Sequence, residues 1–241
     1  MLKFLDYSTF CDMSMLSSGK YRDVEDDFCS LMRDDLALDF KVDFAFSINI
    51  PKIVFNTMIT GPVYYHTPFH PLAMFEFAKI HNITLTPVQK LAIWFHDSIF
   101  IPGYPKNEVK SALFLDSLMS PCLSEIEVNA AKKIVVDTAY HLEDPDYTDK
   151  ESHLVMDLDM AGFAAGIKGF RVQNECIEKE FKSIGFDDDK FLSGRINFLE
   201  AILDKNRIYH TDYFYENFET IARQNIKNLI TETKLRQENK E

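Results

Sequence analysis

The pair His96-Asp97 stands inside the run LAIWFHDSIFI, with apolar residues on both sides. A carboxylate buried there without a partner costs several kcal/mol, and a bound cation would satisfy it while using the neighbouring imidazole. On the pair alone, a helix end bonded to backbone is the better reading, since His-Asp dipeptides occur by chance, so its neighbours in sequence decide its weight. Upstream, YYHTPFHPL offers His66 and His70. On a helix these two would share a face, but Pro68 and Pro71 favour a loop that enters a helix at His70. Downstream, HLVMDLDMAGFAAG sets Asp157 and Asp159 in an apolar helical pattern, with the same desolvation problem. Imidazoles and carboxylates carried on three apolar helices form the kind of site that helical bundles use for metal ions. Two imidazoles with two carboxylates suit Mn, Fe, Co, Ni or Zn better than Ca.

The elements that must position these groups read as helices. Residues 71–81 are apolar nearly all round, as in a buried helix. Thr86-Pro87-Val88-Gln89 is a helix start, with Thr as N-cap, Pro at the first position and Gln closing a capping box. That helix is expected to run through LAIWFHDSIFI to Pro102-Gly103, and Asn107 to cap the next one. Ser124 with Glu127 forms a second capping box, opening a helix to about His141, and DPDYTD reads as a loop. Further helices are expected over 151–165, 170–183, 190–204 and 213–235. Before them, Phe40, Val42, Phe44, Phe46, Ile48 and Ile50 alternate strictly, which predicts one β-strand ended by Pro51. A lone strand must pair within its own segment or across a homodimer. The expected organisation is mostly α: an N-terminal extension over residues 1–60, then a helical domain over 61–241.

The order His…His-Asp…Asp resembles the HD-domain superfamily of metal-dependent phosphohydrolases, and more closely a subfamily of predicted HD phosphohydrolases. Its Tyr-His-x-x-x-His is matched by Tyr65, His66 and His70, and its Ala-x-Trp-Phe-His-Asp by Ala92, Trp94, Phe95, His96 and Asp97. Asn107, Glu108, Ser111 and Ala112 match Asn-Glu-x-x-Ser-Ala; Thr138 and His141 match Thr-x-x-His; Asp157 and Asp159 match Asp-x-Asp. Phe191, Gly194 and Arg195 match Phe-x-x-Gly-Arg, and the closing motifs fall on Ile208, Tyr209, His210, Ala222, Arg223 and Asn225. The resemblance covers about residues 62–228. It departs at Lys106, where relatives usually carry Asp, at Glu178 in place of Arg, and at Phe181 in place of Tyr.

The resemblance implies an HD-like helical bundle with a metal held by His70, His96, Asp97 and Asp159. Asp159 is preferred over Asp157 because the superfamily ligand directly precedes a Leu-like position, here Met160. A metal so held activates water for attack on a phosphoester or anhydride. Asp97 would also orient that water, and Glu108 is the candidate general acid or base. His66, Lys106, His141 and Arg195 are candidate substrate contacts, with Arg207 a further cation. Arg223 and Tyr209-His210 read as structural. His141 could complete a second ion site, but its companion His153 lies about 120° round the helix from Asp159, so one divalent ion is expected.

A net charge of −12 over 241 residues disfavours tracking of long nucleic acid, since phosphate affinity comes from Lys and Arg. It leaves room for a small phosphorylated substrate, above all a nucleotide. No 18-residue apolar stretch and no signal-peptide core are found, and the four cysteines lack metal spacing. Together these suggest a cytoplasmic protein with reduced thiols and no membrane association. The expected function is metal-dependent phosphohydrolysis; a non-catalytic nucleotide- or metal-binding module, or a structural helical domain with a degenerate site, are the rival expectations.

Overall fold

The computed structural model describes residues 20–139 and 150–238. The described chain is α-helical. Its elements are α1 (Lys20–Phe40), α2 (Phe44–Met58), α3 (Phe69–Ile80), α4 (Pro87–Phe95), α5 (Asn107–Met119), α6 (Glu125–Asp137) and α7 (Lys150–Asp159). A 3-10 turn (Met160–Ala164) leads to α8 (Ile167–Ser183), α9 (Asp188–Asp204) and α10 (Asp212–Glu238). No strand occurs among the described residues.

The alternation over 40–50 therefore does not make a strand, and the homodimer argument that rested on an unpaired strand loses its premise. Asp43 caps α2, its side chain accepting from the Ala45 N–H at 2.9 Å. Burial along α2 follows a helical spacing: Ser47, Ile50, Val54 and Met58 are buried, whereas Phe46 and Ile48 are exposed. A period of two and a period of 3.6 share several positions over a short window, and here the second governs. Pro51 lies within the helix instead of ending a strand.

These first two helices belong to the common core. Phe28 of α1 meets the Trp94 ring edge-on at 4.9 Å, and Phe75 of α3 lies on Trp94 at 4.5 Å. The Trp94 indole N–H donates to Asp35 at 2.9 Å, and Lys90 bridges Asp35 and Asp39. Helix α1 is thus clamped along α4, the helix that delivers His96-Asp97.

The Thr86 and Ser124 capping boxes form as expected. Two boundaries differ. Helix α4 ends at Phe95, so His96-Asp97 sits at its C-terminal edge and the following residues leave as a loop. Asn107 does not cap α5; Lys106 holds that position without a side-chain cap. Asn107 instead exchanges two 3.0 Å hydrogen bonds with the backbone of Ile101, while Ser111 bonds the backbone of Ile99. The loop after His96-Asp97 is therefore stapled to α5. At the other end, Arg223 of α10 donates to the carbonyls of Leu203, Lys205 and Asn206, closing the C-terminus of α9 as a structural residue.

Cys29 and Cys122 are free thiols. Cys176 is disulfide-bonded, unlike the reduced state expected of it, and its partner lies outside the described residues. No described helix is long and apolar enough to cross a membrane. The DPDYTD loop and His141 lie outside the described residues.

Candidate metal centre

One helix start and two helix ends converge on a single point. His70 enters from the first turn of α3, His96 and Asp97 from the edge of α4, and Asp159 from the last residue of α7. One ligand atom from each of the four lies within 4.8 Å of all the others. His70 Nε2 is 2.7 Å from Asp159 Oδ1 and 3.6 Å from Asp97 Oδ2; His96 Nε2 is 3.1 Å from Asp97 Oδ2 and 3.8 Å from Asp159 Oδ1. Ligands ~2.1 Å from a common ion sit roughly 3.0–3.5 Å from one another, so the cluster has the size of a first-row coordination shell.

The hydrogen-bonding pattern fits a cation as well. His96 Nδ1 donates to the Ile93 carbonyl at 2.8 Å. That fixes the tautomer and leaves the Nε2 lone pair directed inward. The Nε2 atom is buried and has no hydrogen-bond partner among the described residues. His70 and His96 are 2% and 1% exposed, so neither can recruit bulk water in place of a ligand.

The electrostatics report the same strain. Burial opposes a charged imidazole at His96, but the Asp97 carboxylate 3.1 Å from Nε2, then Asp159, outweigh burial and push the pKa up to about 9. Asp97 is held well below the usual carboxylate range: burial opposes its charge, and the His96, His66 and His70 imidazoles overcome that. Protons here do the work of a cation.

Asp157 is a different residue altogether. It is fully buried and accepts from the N–H groups of His210 and Thr211 at 2.7 and 2.8 Å and from the Thr211 hydroxyl at 2.6 Å. Its lone pairs are spent on the start of α10. Of the two aspartates in Asp-x-Asp, Asp159 is the one placed to hold an ion.

Beyond the four ligands the site opens into a cavity of about 410 Å³, whose walls include His66, Glu108 and Arg195. Glu108 lies in the first turn of α5; burial, then the Asp97 and Asp159 charges, raise its pKa to about 7. Its Oε2 is buried without a hydrogen-bond partner among the described residues. His66 stacks on Phe100 at 3.5 Å and donates from Nδ1 to Glu180 at 2.8 Å. Burial works against a charged His66, but Glu180, Asp97 and Asp159 reverse this and raise its pKa. Arg195 reaches Asn174 from Nε at 2.9 Å.

Lys106 is exposed and does not line this cavity. Lys190 of α9 does. Arg207 borders a separate cavity together with His153 and His210, pairing with Asp212. His153 stacks on His210 at 4.9 Å there, away from the four ligands, in line with its expected direction.

Three residues escaped the sequence reading. Glu180 is fully buried and accepts from the backbone N–H groups of Tyr64, Tyr65 and His66 at 2.7–2.9 Å. It moulds the loop that carries His66 toward the site. Gln173 and Asn174 line the cavity from α8. The available signal was the stripe Phe170, Gln173, Asn174, Ile177, Phe181, a helical face on which two carboxamides interrupt apolar residues.

No protein-family model, curated protein or solved structure matches this chain.

Proposed function

We propose that this protein is a metal-dependent phosphohydrolase of the HD type, acting on a nucleotide or a similar small phosphorylated molecule. The observation that carries the reading is the His70, His96, Asp97 and Asp159 group, set at the floor of a cavity that also presents Glu108 and His66. The motif resemblance over residues 62–228 supports it independently of the geometry.

His70, His96, Asp97 and Asp159 would hold one divalent transition metal, of the Mn, Fe, Co, Ni or Zn class. When bound it supplies Lewis acidity toward a phosphoryl oxygen and lowers the pKa of the attacking water. The chain's own residues do the rest. Asp97 orients the water through its second carboxylate oxygen. His66, whose pKa Glu180 helps to raise against the effect of burial, lines the phosphoryl end of the cavity and brings positive charge there when protonated. Glu108, whose carboxyl pKa is raised first by burial, hands its proton to the leaving oxygen. Arg195 and Lys190 supply the remaining positive charge from α9.

The test is release of phosphate or pyrophosphate from a nucleotide panel with Mn, Co, Ni, Mg or Zn added, against Asp97→Ala. Metal-dependent turnover that the variant lacks is the expected result. Bound metal without turnover would point to a binding module, and neither metal nor turnover would sink the reading.

A further inference from the structure

The cavity above the four ligands has two chemically distinct ends. Its floor carries Asp97, Asp159 and Glu108, whereas the wall built by α8 and α9 presents Phe170, Phe181 and Phe191. Phosphate oxygens stripped of water against phenyl rings gain nothing in return. An occupant with its phosphoryl group at the floor must therefore fill the wall with something apolar.

Polar atoms set into that wall narrow the class. Gln173 is 4% exposed, and its carboxamide Nε2 is buried with no hydrogen-bond partner among the described residues. A buried donor left so is unfavourable until a ligand supplies its acceptor. The carboxamide is accommodated by Gly162, where a Cβ would fall 2.5 Å from Gln173 Oε1. The neighbouring Asn174 is, by contrast, already used: it accepts from Arg195 Nε at 2.9 Å and donates to the Phe170 carbonyl at 2.7 Å. An alkyl chain in this wall would leave the Gln173 donor unmatched. A flat heteroaromatic ring would pack against the phenyl groups and offer Gln173 an acceptor.

The charge count limits the phosphate. Lys190 and Arg195 are the only Lys or Arg side chains among the described residues that line the cavity, and Arg195 is already engaged with Asn174. Together with one divalent ion and His66 they suit a single phosphoryl group, not the charge of a triphosphate.

We propose that Gln173 is the specificity-determining residue of this cavity, donating from Nε2 to a ring acceptor of a phosphomonoester whose organic half is a flat heteroaromatic group. The inference rests on the phosphohydrolase reading above. In the reaction, water attacks phosphorus and the P–O ester bond breaks. The bonding pair leaves on the alcohol oxygen, which takes a proton from Glu108; the proton shed by the attacking water returns Glu108 to its acid form, and inorganic phosphate is released.

The experiment measures kcat and KM of the metal-loaded protein and of Gln173→Leu. The substrates are adenosine, guanosine, cytidine and uridine monophosphates, phenyl phosphate, glycerol phosphate, adenosine triphosphate and pyrophosphate. At least one nucleoside monophosphate should exceed phenyl phosphate in kcat/KM by about tenfold or more, the worth of one hydrogen bond of about 1.4 kcal/mol. Gln173→Leu should remove that preference, raising KM for the nucleotide about tenfold more than KM for phenyl phosphate. An unchanged preference in Gln173→Leu, or equal use of glycerol phosphate, triphosphate or pyrophosphate, overturns the inference while the hydrolase stands. Calorimetric titration of the same monophosphates supplies a readout without turnover. Binding that requires the ring and is lost in Gln173→Leu, with no hydrolysis, sustains the inference and overturns the hydrolase; neither binding nor hydrolysis overturns both.

Discussion

Replacing Glu108 by Gln should stabilise the metal-free protein at alkaline pH and do little in acid. The folded state raises this carboxyl from 4.5 to about 7, through burial and then through the Asp97 and Asp159 charges. A carboxyl with a raised folded pKa binds more protons folded than unfolded between those two values. Its ionisation therefore drains stability as pH rises from 4.5 through about 7, and the full cost is present above that. At ~1.4 kcal/mol per pKa unit the shift corresponds to about 3 kcal/mol. Solvent screening of a half-buried group reduces this to about 1–2 kcal/mol. For a chain of this size that is roughly 2–8 °C in Tm. The assay is thermal unfolding followed by circular dichroism in the presence of a chelator, because a bound cation would oppose the shift. Glu108→Gln should gain most of this margin at pH 8 and little at pH 5. An equal gain at both pH values, or a loss at pH 8, would refute the placement of a strained carboxyl beside the ligands. Activity of the same variant should fall, since the proton donor is gone.

Three further outcomes are expected. Glu180→Gln removes an acceptor shared by three backbone N–H groups and His66, and should cost about 3–5 kcal/mol in urea unfolding. Because the Glu180 pKa is lowered despite burial, chiefly by the His66 charge and hydrogen bond, its contribution is present above about pH 4.5 and fades as acid protonates it. Asp157→Asn should lower stability by about 1–3 kcal/mol through loss of the bonds to His210 and Thr211, measured by denaturant midpoint. Phe28→Ala should cost about 3–5 kcal/mol by opening a cavity against Trp94, read from the same titration. A negligible effect there would mean that α1 is not part of the core.

The capping boxes at Thr86 and Ser124 were legible because each is a local bargain between a side chain and orphan N–H groups four residues apart at most. The stretch over 44–58 was not, because its apolar residues satisfy two periods and only its contacts with α1 choose between them. Asp157 and Asp159 differ by roughly 200° around a helix, so only one could face the site. Which one depends on the lead-in to α10, where the His210 N–H, 53 residues further on, engages Asp157. Lys106 was placed near the substrate by its nearness in sequence to Glu108, yet it projects to solvent at the head of α5. Gln173 and Glu180 were hidden for the opposite reason. Their partners come from Gly162 and from residues 64–66, and no local pattern announces such contacts.

The most direct test of the metal centre is elemental analysis of the protein after equilibration with Mn, Fe, Co, Ni or Zn and removal of free ion. The wild type and Asp157→Asn should each retain one ion per chain, whereas His96→Ala and Asp159→Asn should retain none. Equal retention by all four proteins, or loss of the ion in Asp157→Asn with retention in Asp159→Asn, would contradict the assignment of His70, His96, Asp97 and Asp159 as the ligands.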